Sequence, residues 1–429
     1  MSDKSISEFI NKDYKQYAKY VLYNRAIPNI IDGFKPVHRK IFYTALKYAK
    51  GQFIKTIGLV GGVIKDASYH HGDASLGAAV NSLTQDFVGS NNIPMFQGKG
   101  NFGNRLIQEA AAGRYTAVKL NNEFLNYFTD WEILDKNVDP ENPEPLCYLP
   151  IIPWVLVNGV EGIAIGFATY ILPRDPEKLK HYIKNKLEGK GSYYQFEPYF
   201  KGFKGKIEKD PDSSSWIMTG SYEVLKKHSV KITELPIGFD REKYISHLER
   251  LIEKKKIRDY IENCKNGFEF TIKFNKEYSD ERIIHYLKLR TTLTENIVTI
   301  DNEGKLREFD KPDELVNYFI QYRLNKYHQR LTRNKQIAED EILLIDEKKR
   351  FIELVMNNEI KVSKLTRQEL IQNLKDEDFI FIQELINMKI YMFTSDEIDK
   401  LNDKKEELQK YVKELLETNP GKEWIKELK

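Results

Sequence analysis

The amino-acid sequence predicts a multidomain α+β chain that ends in a long helical arm. Three observations lead there. Helical spacing runs through most of residues 1–90, strands and helices alternate over 175–310, and beyond Pro312 the pattern is almost wholly helical. The chain has 429 residues and 41% apolar content, enough for two to four domains with cores of their own.

Composition removes several classes. With 25 Tyr, 23 Phe and no low-complexity run, the chain is not disordered. No apolar stretch reaches the ~18–20 residues of a membrane span. The opening "MSDKSISEFINKDYKQYAKY" is charged and helix-like, unlike a secretory signal. Cys147 and Cys264 stand in different contexts, which suits a reducing compartment and excludes a Cys-rich zinc site. Residues 1–130 carry 16 Lys and Arg against 10 Asp and Glu, while the whole chain is only +3. The first third is therefore the basic part and a polyanion is its expected partner; a mildly basic solvated surface is the plainer alternative.

In order, "SISE" (Ser5 to Glu8) reads as a capping box before an amphipathic helix. Pro28, Gly33 and Pro36 break it. A second helix carries Val37, Ile41, Ala45 and Ala49; a third starts with Asp73 as N-cap and places Leu76, Val80, Leu83 and Phe87 on one stripe. Helices, a turn and a Gly-rich hairpin resemble a winged helix-turn-helix. Residues 131–172 are too broken by Pro and Gly for a membrane helix and too apolar for a linker, so a buried βα connection is expected. "SVKITELPIGF", "FEFTIKFN" and "ENIVTIDNEGKLREF" read as strands, the last with a hairpin turn at "DNEG". Ile320, Leu324, Tyr327 and Leu331 are spaced as a coiled-coil seam, and a matching helix opens at Thr394 and Glu397, read as a capping box. It carries Ile398, Leu401, Leu408, Val412 and Leu415 at heptad positions. Two long helices enclosing an insert at about 350–393 predict an antiparallel arm with a knob at its tip, or an ordinary helical bundle.

Gly98, Gly100 and Gly103 spell G-x-G-x-x-G, the pattern of a dinucleotide loop. That reading needs a buried strand before the first glycine within a βαβ unit. "GSNNIPMFQ" is a poor strand, and no G-x-x-x-x-G-K-[ST] loop exists elsewhere. These glycines are expected to let the chain turn tightly and pass close to the backbone beside Tyr115.

Downstream, "EAAAGRYTAV" sets Arg114 beside Tyr115. A phenol with pKa near ~10 is a poor nucleophile unless its proton is removed and its target polarised. A neighbouring guanidinium can steady charge on a pentavalent phosphorus. A Tyr–Arg pair on a basic surface can thus attack a DNA phosphodiester, although with 67 Lys and Arg such pairs also arise by accident.

The segments "NRAIPNIIDGFKPVHRKIFYTAL", "YHHGDASL", "QGKGNFGN", "AAAGRYTAV" and "LPIIPWVLVNGVEGIAIGFATYILP" occur in this order. Together they resemble the breakage-reunion (gyrase A-like) part of a type IIA DNA topoisomerase. "ITELP", "TTLTENIVTIDNEG" and the helical arm extend the resemblance over nearly the whole chain. "YHHGD" and "PIIPWVLVNGVEGI" are more similar to the eukaryotic and T-even phage versions than to bacterial gyrase. The size is that of the phage-type subunit.

The resemblance implies a winged-helix DNA-gate domain at 1–130, an α/β tower domain at 131–310, and a coiled-coil arm with a helical dimerisation knob at 311–429. It implies that Tyr115 is the nucleophile that becomes linked to a DNA 5′ end, with Arg114 as its transition-state partner. Arg25 and His71 align with active-site residues. Lys35 aligns with a DNA-backbone contact, and Ile163 with the isoleucine that wedges between base pairs. Wedging costs unstacking and gains wrapped contact area. The helix after Asp73 is the candidate groove-facing helix. Lys99 is either a phosphate contact or a solvated lysine; His38 either touches DNA or lies on a helix surface; His70 packs or contacts; Arg39 and Lys40 act electrostatically.

The family's reaction needs Mg²⁺ held by clustered carboxylates. Asp210 with Asp212, and Asp376 with Asp378, are the candidate pairs, and both read as solvated surface. Metal ligands and the ATPase are therefore expected on a partner chain with a TOPRIM-type module. The resemblance further implies a homodimer joined at the DNA gate and the C-gate, double-stranded DNA as substrate, relaxation or decatenation by strand passage, and a cytoplasmic location, in the bacterial host if viral. A non-enzymatic DNA-bending protein of the same fold is the alternative.

Overall fold

The computed structural model describes residues 6–191 and 195–429. It is a mixed α/β chain in two compact units, Met1–Arg323 with Leu428, and Leu324–Glu427 with Lys429. Among the described residues no helix is long and apolar enough to cross a membrane.

The first unit opens with α1 (Ile6–Glu8) and α2 (Lys15–Val21), each followed by a wider π turn, at Phe9–Tyr14 and Leu22–Ala26. Ser5 of the expected capping box lies outside the described residues. Helix α3 (Pro36–Tyr48) has Pro at its first turn, where no amide hydrogen is required, and buries Ile41, Phe42 and Ala45. Helix α4 (Thr56–Asp66) was not legible in the sequence, because Gly58, Gly61 and Gly62 lower helical propensity. Gly62 has a packing reason: a Cβ there would lie 3.1 Å from Thr44 Cγ2 on α3.

Helix α5 (Asp73–Thr84) buries Leu76 and Val80. Its N-cap is Gly72, not Asp73; Asp73 sits in the first turn, and its Oδ1 accepts the Ala74 amide at 2.8 Å. The helix also stops before Phe87, since Gln85 is already extended. Strands β1 (Ile54–Lys55), β2 (Phe96–Lys99) and β3 (Ala117–Leu120) form an antiparallel sheet in the order β1-β3-β2. The core beneath is aromatic. Phe42 lies 5.1 Å from Phe124 and 4.6 Å from Tyr148, ring to ring, and Phe124 lies 5.0 Å from Trp154.

Residues 131–172 hold the expected buried βα connection only as a short step and then add a hairpin. Strand β4 (Phe128–Thr129) pairs with β5 (Leu149–Pro150), and one helical turn follows at Trp154–Val157. The rest is an antiparallel hairpin of β6 (Val160–Ile163) and β7 (Ala168–Ile171). Further on, a four-stranded antiparallel sheet packs Val230, Ile232, Phe270 and Ile272 against Tyr244, Leu248 and Leu251 of the Arg241–Glu253 helix. "DNEG" does turn a hairpin between Ile297–Ile300 and Leu306–Phe309, with Asp301 accepting the amides of Glu303 and Lys305. Asp130 and Arg323 form a fully buried ion pair at 2.8 Å.

The helix Pro312–Met356 runs for 45 residues. Within the second unit, Asp346 of this helix pairs with Lys405 of the helix Ser395–Glu417 at 2.5 Å. Between them a small core gathers Phe351, Leu370, Leu374, Phe379 and Leu385. The expected capping box at Thr394 is absent, as its side chain accepts no helix amide. A complete one forms instead at Thr366 and Glu369.

Candidate active site

Tyr115 lies at the end of the loop that links β2 to β3. Gly100 opens the loop at φ +107°, where a Cβ would come within 3.2 Å of the Tyr115 carbonyl oxygen. The second half is pinned to the start of α4. Thr56 N donates to the Thr116 carbonyl at 3.1 Å, Ile57 N to the Gly113 carbonyl at 3.2 Å, and the Thr56 and Thr116 hydroxyls meet at 2.7 Å. Two amides that a helix start leaves without partners are thereby satisfied, and the backbone on both sides of Tyr115 is fixed.

Its side chain is not fixed by burial: Tyr115 is 69% exposed. The Arg114 guanidinium carbon stands 5.2 Å from the centre of the Tyr115 ring, within cation–π range. Lys99 is exposed and pairs in register with Ala117 on the neighbouring strand. The glycine pattern belongs to an antiparallel sheet, so the dinucleotide geometry does not exist.

A second group of residues meets in a cleft of about 700 Å³, which Arg25, Lys35, His38, Arg39 and His71 line together. Arg114 and Tyr115 are not among its lining residues. His71 Nε2 is 2.9 Å from the Tyr20 hydroxyl, and its ring meets Tyr69 edge-on at 5.4 Å. Partial burial and then the charges of Arg25 and His70 hold the His71 pKa below its ordinary value. Arg25 and His70 are exposed.

Lys35 Nζ donates to the Glu161 carbonyl oxygen at 2.6 Å, tying the start of α3 to the β6–β7 hairpin. Burial lowers its pKa, and Glu161 partly opposes this. His38 packs edge-on against Phe34 and is pushed down to about 3, chiefly by burial, then by Lys35 and Arg39. Arg39 is buried. Its Nε and Nη2 grip Asp32 at 2.9 and 3.1 Å, and Asp32 also accepts the Tyr148 amide at 3.0 Å. This geometry makes Arg39 a structural ion pair rather than a direct phosphate contact. Lys40 is likewise engaged, with the Ala67 carbonyl, Asn142 and Glu144.

Ile163 occupies the tip of the β6–β7 hairpin and is 77% exposed. Gly166 at φ +80° makes the turn, closed by the Ala164 amide donating to Phe167 O at 2.8 Å. Gly162 is buried against Ala26: a Cβ there would lie 2.0 Å from the Ala26 carbonyl oxygen. Asn296 braces the other strand through two backbone bonds to Tyr170, each 2.9 Å, and one from Nδ2 to Ala168 O at 2.6 Å.

The carboxylate pairs make no metal site. Asp210 accepts the Ser213 hydroxyl and the Asp212 amide inside an exposed turn, and Asp376 and Asp378 lie exposed near a helix end. Among the described residues no group of three His, Cys, Asp or Glu is placed to hold an ion.

The family model for the DNA gyrase/topoisomerase IV A-type subunits matches residues 25–429. The chain belongs to that family. It is 35% identical to the DNA topoisomerase medium subunit of Enterobacteria phage T4, over 94% of this chain and 92% of that one. It is 31% identical to a putative mitochondrial DNA topoisomerase 2 of Caenorhabditis elegans, over 94% of this chain but only 37% of the relative. The chain thus spans about a third of that longer relative. A solved structure of the Plasmodium falciparum topoisomerase II DNA-binding, cleavage and re-ligation domain superposes with TM-score 0.84 at 29% identity, covering 98% of this chain and 63% of that one. These relatives are type II DNA topoisomerases, which are isomerases.

Several members of this site were not legible in the sequence. Tyr20, Thr56 and Glu161 reach it only through the fold, and Thr116, though next to Tyr115 in the chain, meets Thr56 only there. Thr56 alone left a signal, a hydroxyl residue before an apolar run, and the glycines that follow obscured it.

Proposed function

We propose that this chain is the DNA-cleavage subunit of an ATP-dependent type IIA topoisomerase, with Tyr115 as its nucleophile. The observation that carries the reading is a solvent-exposed tyrosine under a guanidinium, on a loop whose backbone is fixed on both sides, in a chain of this family. The Tyr115 hydroxyl oxygen bonds to phosphorus and the P–O3′ bond breaks. The phenol proton is given up and the departing 3′ oxygen takes one up, so protons balance. Arg114 steadies the negative charge that gathers on phosphorus. The phosphotyrosyl link conserves the energy of the broken diester, and resealing is the same step reversed.

Because Arg114 and Tyr115 do not line the cleft, we read the site as shared between two copies. Tyr115 of one faces the Arg25, Lys35 and His71 cleft of the second. His71 can donate to a phosphate oxygen, Lys35 and Lys99 hold the DNA backbone, and Ile163 wedges between base pairs. We read residues 1–130 as a winged-helix domain at a DNA gate, 131–310 as a tower, and the two long helices with their small core as an antiparallel arm and C-gate knob. Among the described residues no carboxylate group is placed to hold Mg²⁺, and we assign the metal ligands, with the ATPase, to a partner chain. A protein that only bends DNA would need neither the exposed tyrosine nor its arginine.

The test is a detergent-trapped cleavage assay on supercoiled plasmid with Mg²⁺, with and without the partner chain. A DNA adduct mapped to Tyr115, formed only with the partner, is expected. Tyr115→Phe should abolish the adduct and keep DNA affinity within about threefold. An adduct on another residue, or an active Tyr115→Phe enzyme, refutes the assignment.

A further inference from the structure

The segment Glu234–Leu235–Pro236 of "ITELP" has no part in the site above, and neither has Arg105, in the middle of the Tyr115 loop. The two meet. Arg105 Nη1 donates to Phe239 O at 2.5 Å, and Nη2 to Leu235 O and Pro236 O at 2.9 and 3.2 Å. Glu234 lies 3.6 Å from Nη2, and the guanidinium lies over the Phe268 ring at 4.7 Å. Next to it, Leu106 packs against the core of the four-stranded sheet, and its carbonyl accepts the Arg241 amide at 3.0 Å.

From Arg105 an unbroken set of contacts leads to the nucleophile. Asn104 closes the loop on itself through Leu106 and Ile107. Gln85, just past the end of α5, donates from Nε2 to both Phe102 O and Gln108 O, at 3.0 and 2.9 Å. The Ala111 amide then donates to Asn101 O and the Tyr115 amide to Ala112 O. Tyr115 is fixed locally by α4, whereas the outer end of its loop is fixed by a different core, through the Arg105 side chain and, beside it, Leu106.

We infer that Arg105 is a positioning residue for DNA cleavage: it fastens the nucleophile loop to the Glu234–Phe239 turn, so that the four-stranded sheet helps to set where Tyr115 stands. This rests on Tyr115 being the nucleophile. Arg105 touches no reacting atom and acts only through the loop. A planar fork with several donors suits a cage of backbone carbonyls, which a single ammonium fills incompletely.

The experiment uses the enzyme assembled with its partner chain and a short DNA duplex. It measures the rate of Tyr115 adduct formation at saturating duplex, duplex affinity, and amide hydrogen exchange over residues 101–112. Arg105→Ala should slow adduct formation about 10–100-fold, the order expected for a misplaced reacting group. Affinity should stay within about threefold, and exchange in the loop should quicken. Arg105→Lys should recover part of the rate, and Glu234→Gln, which keeps every carbonyl acceptor, should lose less than Arg105→Ala. An Arg105→Ala enzyme that cleaves at the wild-type rate overturns the inference. So does a parallel loss of rate, affinity and melting temperature that Arg105→Lys does not relieve, since that is a folding defect alone. A wild-type enzyme with no Tyr115 adduct overturns the nucleophile reading, and this inference with it; a variant result on an active wild type leaves that reading standing.

Discussion

Tyr115 and Ile163 are both presented to solvent, at 69% and 77% exposure, but by different means. Tyr115 ends a long irregular loop whose backbone is held by helix-start amides and by the Gln85 side chain, and whose own Arg105 reaches a second core. Ile163 tips a short regular hairpin whose strands hold each other and whose glycine lies against Ala26. A reacting oxygen has to be placed to within a fraction of an ångström, and many fixed contacts serve that need. A wedge needs a stiff apolar tip and free space around it, which a hairpin supplies at once. Lys35 ties the cleft to the second of these regions, since it lines the cleft and bonds the hairpin at Glu161 O.

After Tyr115→Phe, the largest effect should come from Arg114. Arg114→Ala removes the cation over the phenol ring and should lower the cleavage rate about 10²–10³-fold at saturating DNA, with bending unchanged. A change in bending equal to the change in rate would collapse the contrast between loop and hairpin.

Gly162→Val attacks the other side. With a Cβ 2.0 Å from the Ala26 carbonyl oxygen the hairpin must move, at a cost of about 1–3 kcal/mol in denaturant unfolding. Fluorescence transfer across a labelled duplex should show less bending, while a pre-nicked, pre-bent duplex should still be cleaved. Unchanged bending would mean the hairpin is not the wedge.

His38 gives a pH test of the link. Its folded pKa, about 3, lies below the unfolded value near ~6.5, so the folded state binds fewer protons. The sign follows: its contribution to stability is complete above pH ~6.5 and is lost as pH falls toward 3, by about 1.4 kcal/mol per unit. A protonated His38 would also repel Lys35. His38→Gln should flatten the wild-type slope between pH 6.5 and 4 in denaturant titrations, and equal slopes would refute the assignment.

The smallest effect on stability should be that of Ile163→Ala, within about 0.5 kcal/mol, because the side chain is exposed and supports no core. The bend angle should nevertheless fall. A large loss of stability would make Ile163 a packing residue.

Much of this was written locally. The Gly pattern at 98–103, the Arg114–Tyr115 pair and the Gly-flanked Ile163 are runs of neighbouring residues, and each says what its backbone must do. The 4-3-4 spacing likewise marked the helices beyond Pro312, because an exposed helix shows its apolar stripe directly. Local signals failed where packing outvoted propensity. Helix α4 forms despite three glycines, since one lets it approach α3. Thr394 looked like a cap and is not one, whereas Thr366 caps because Glu369 can reach back to it.

The sequence by itself determined the chemistry on offer: a tyrosine with an arginine beside it, and a basic first third. Only the tertiary structure decided which basic groups are free to use it. Arg39 and Lys40 read as electrostatic contacts, yet burial requires partners, and Asp32 and Glu144 supply them. Arg114 and Arg25 stay exposed. Charge is a property of the residue, but availability depends on what the fold brings within hydrogen-bonding distance.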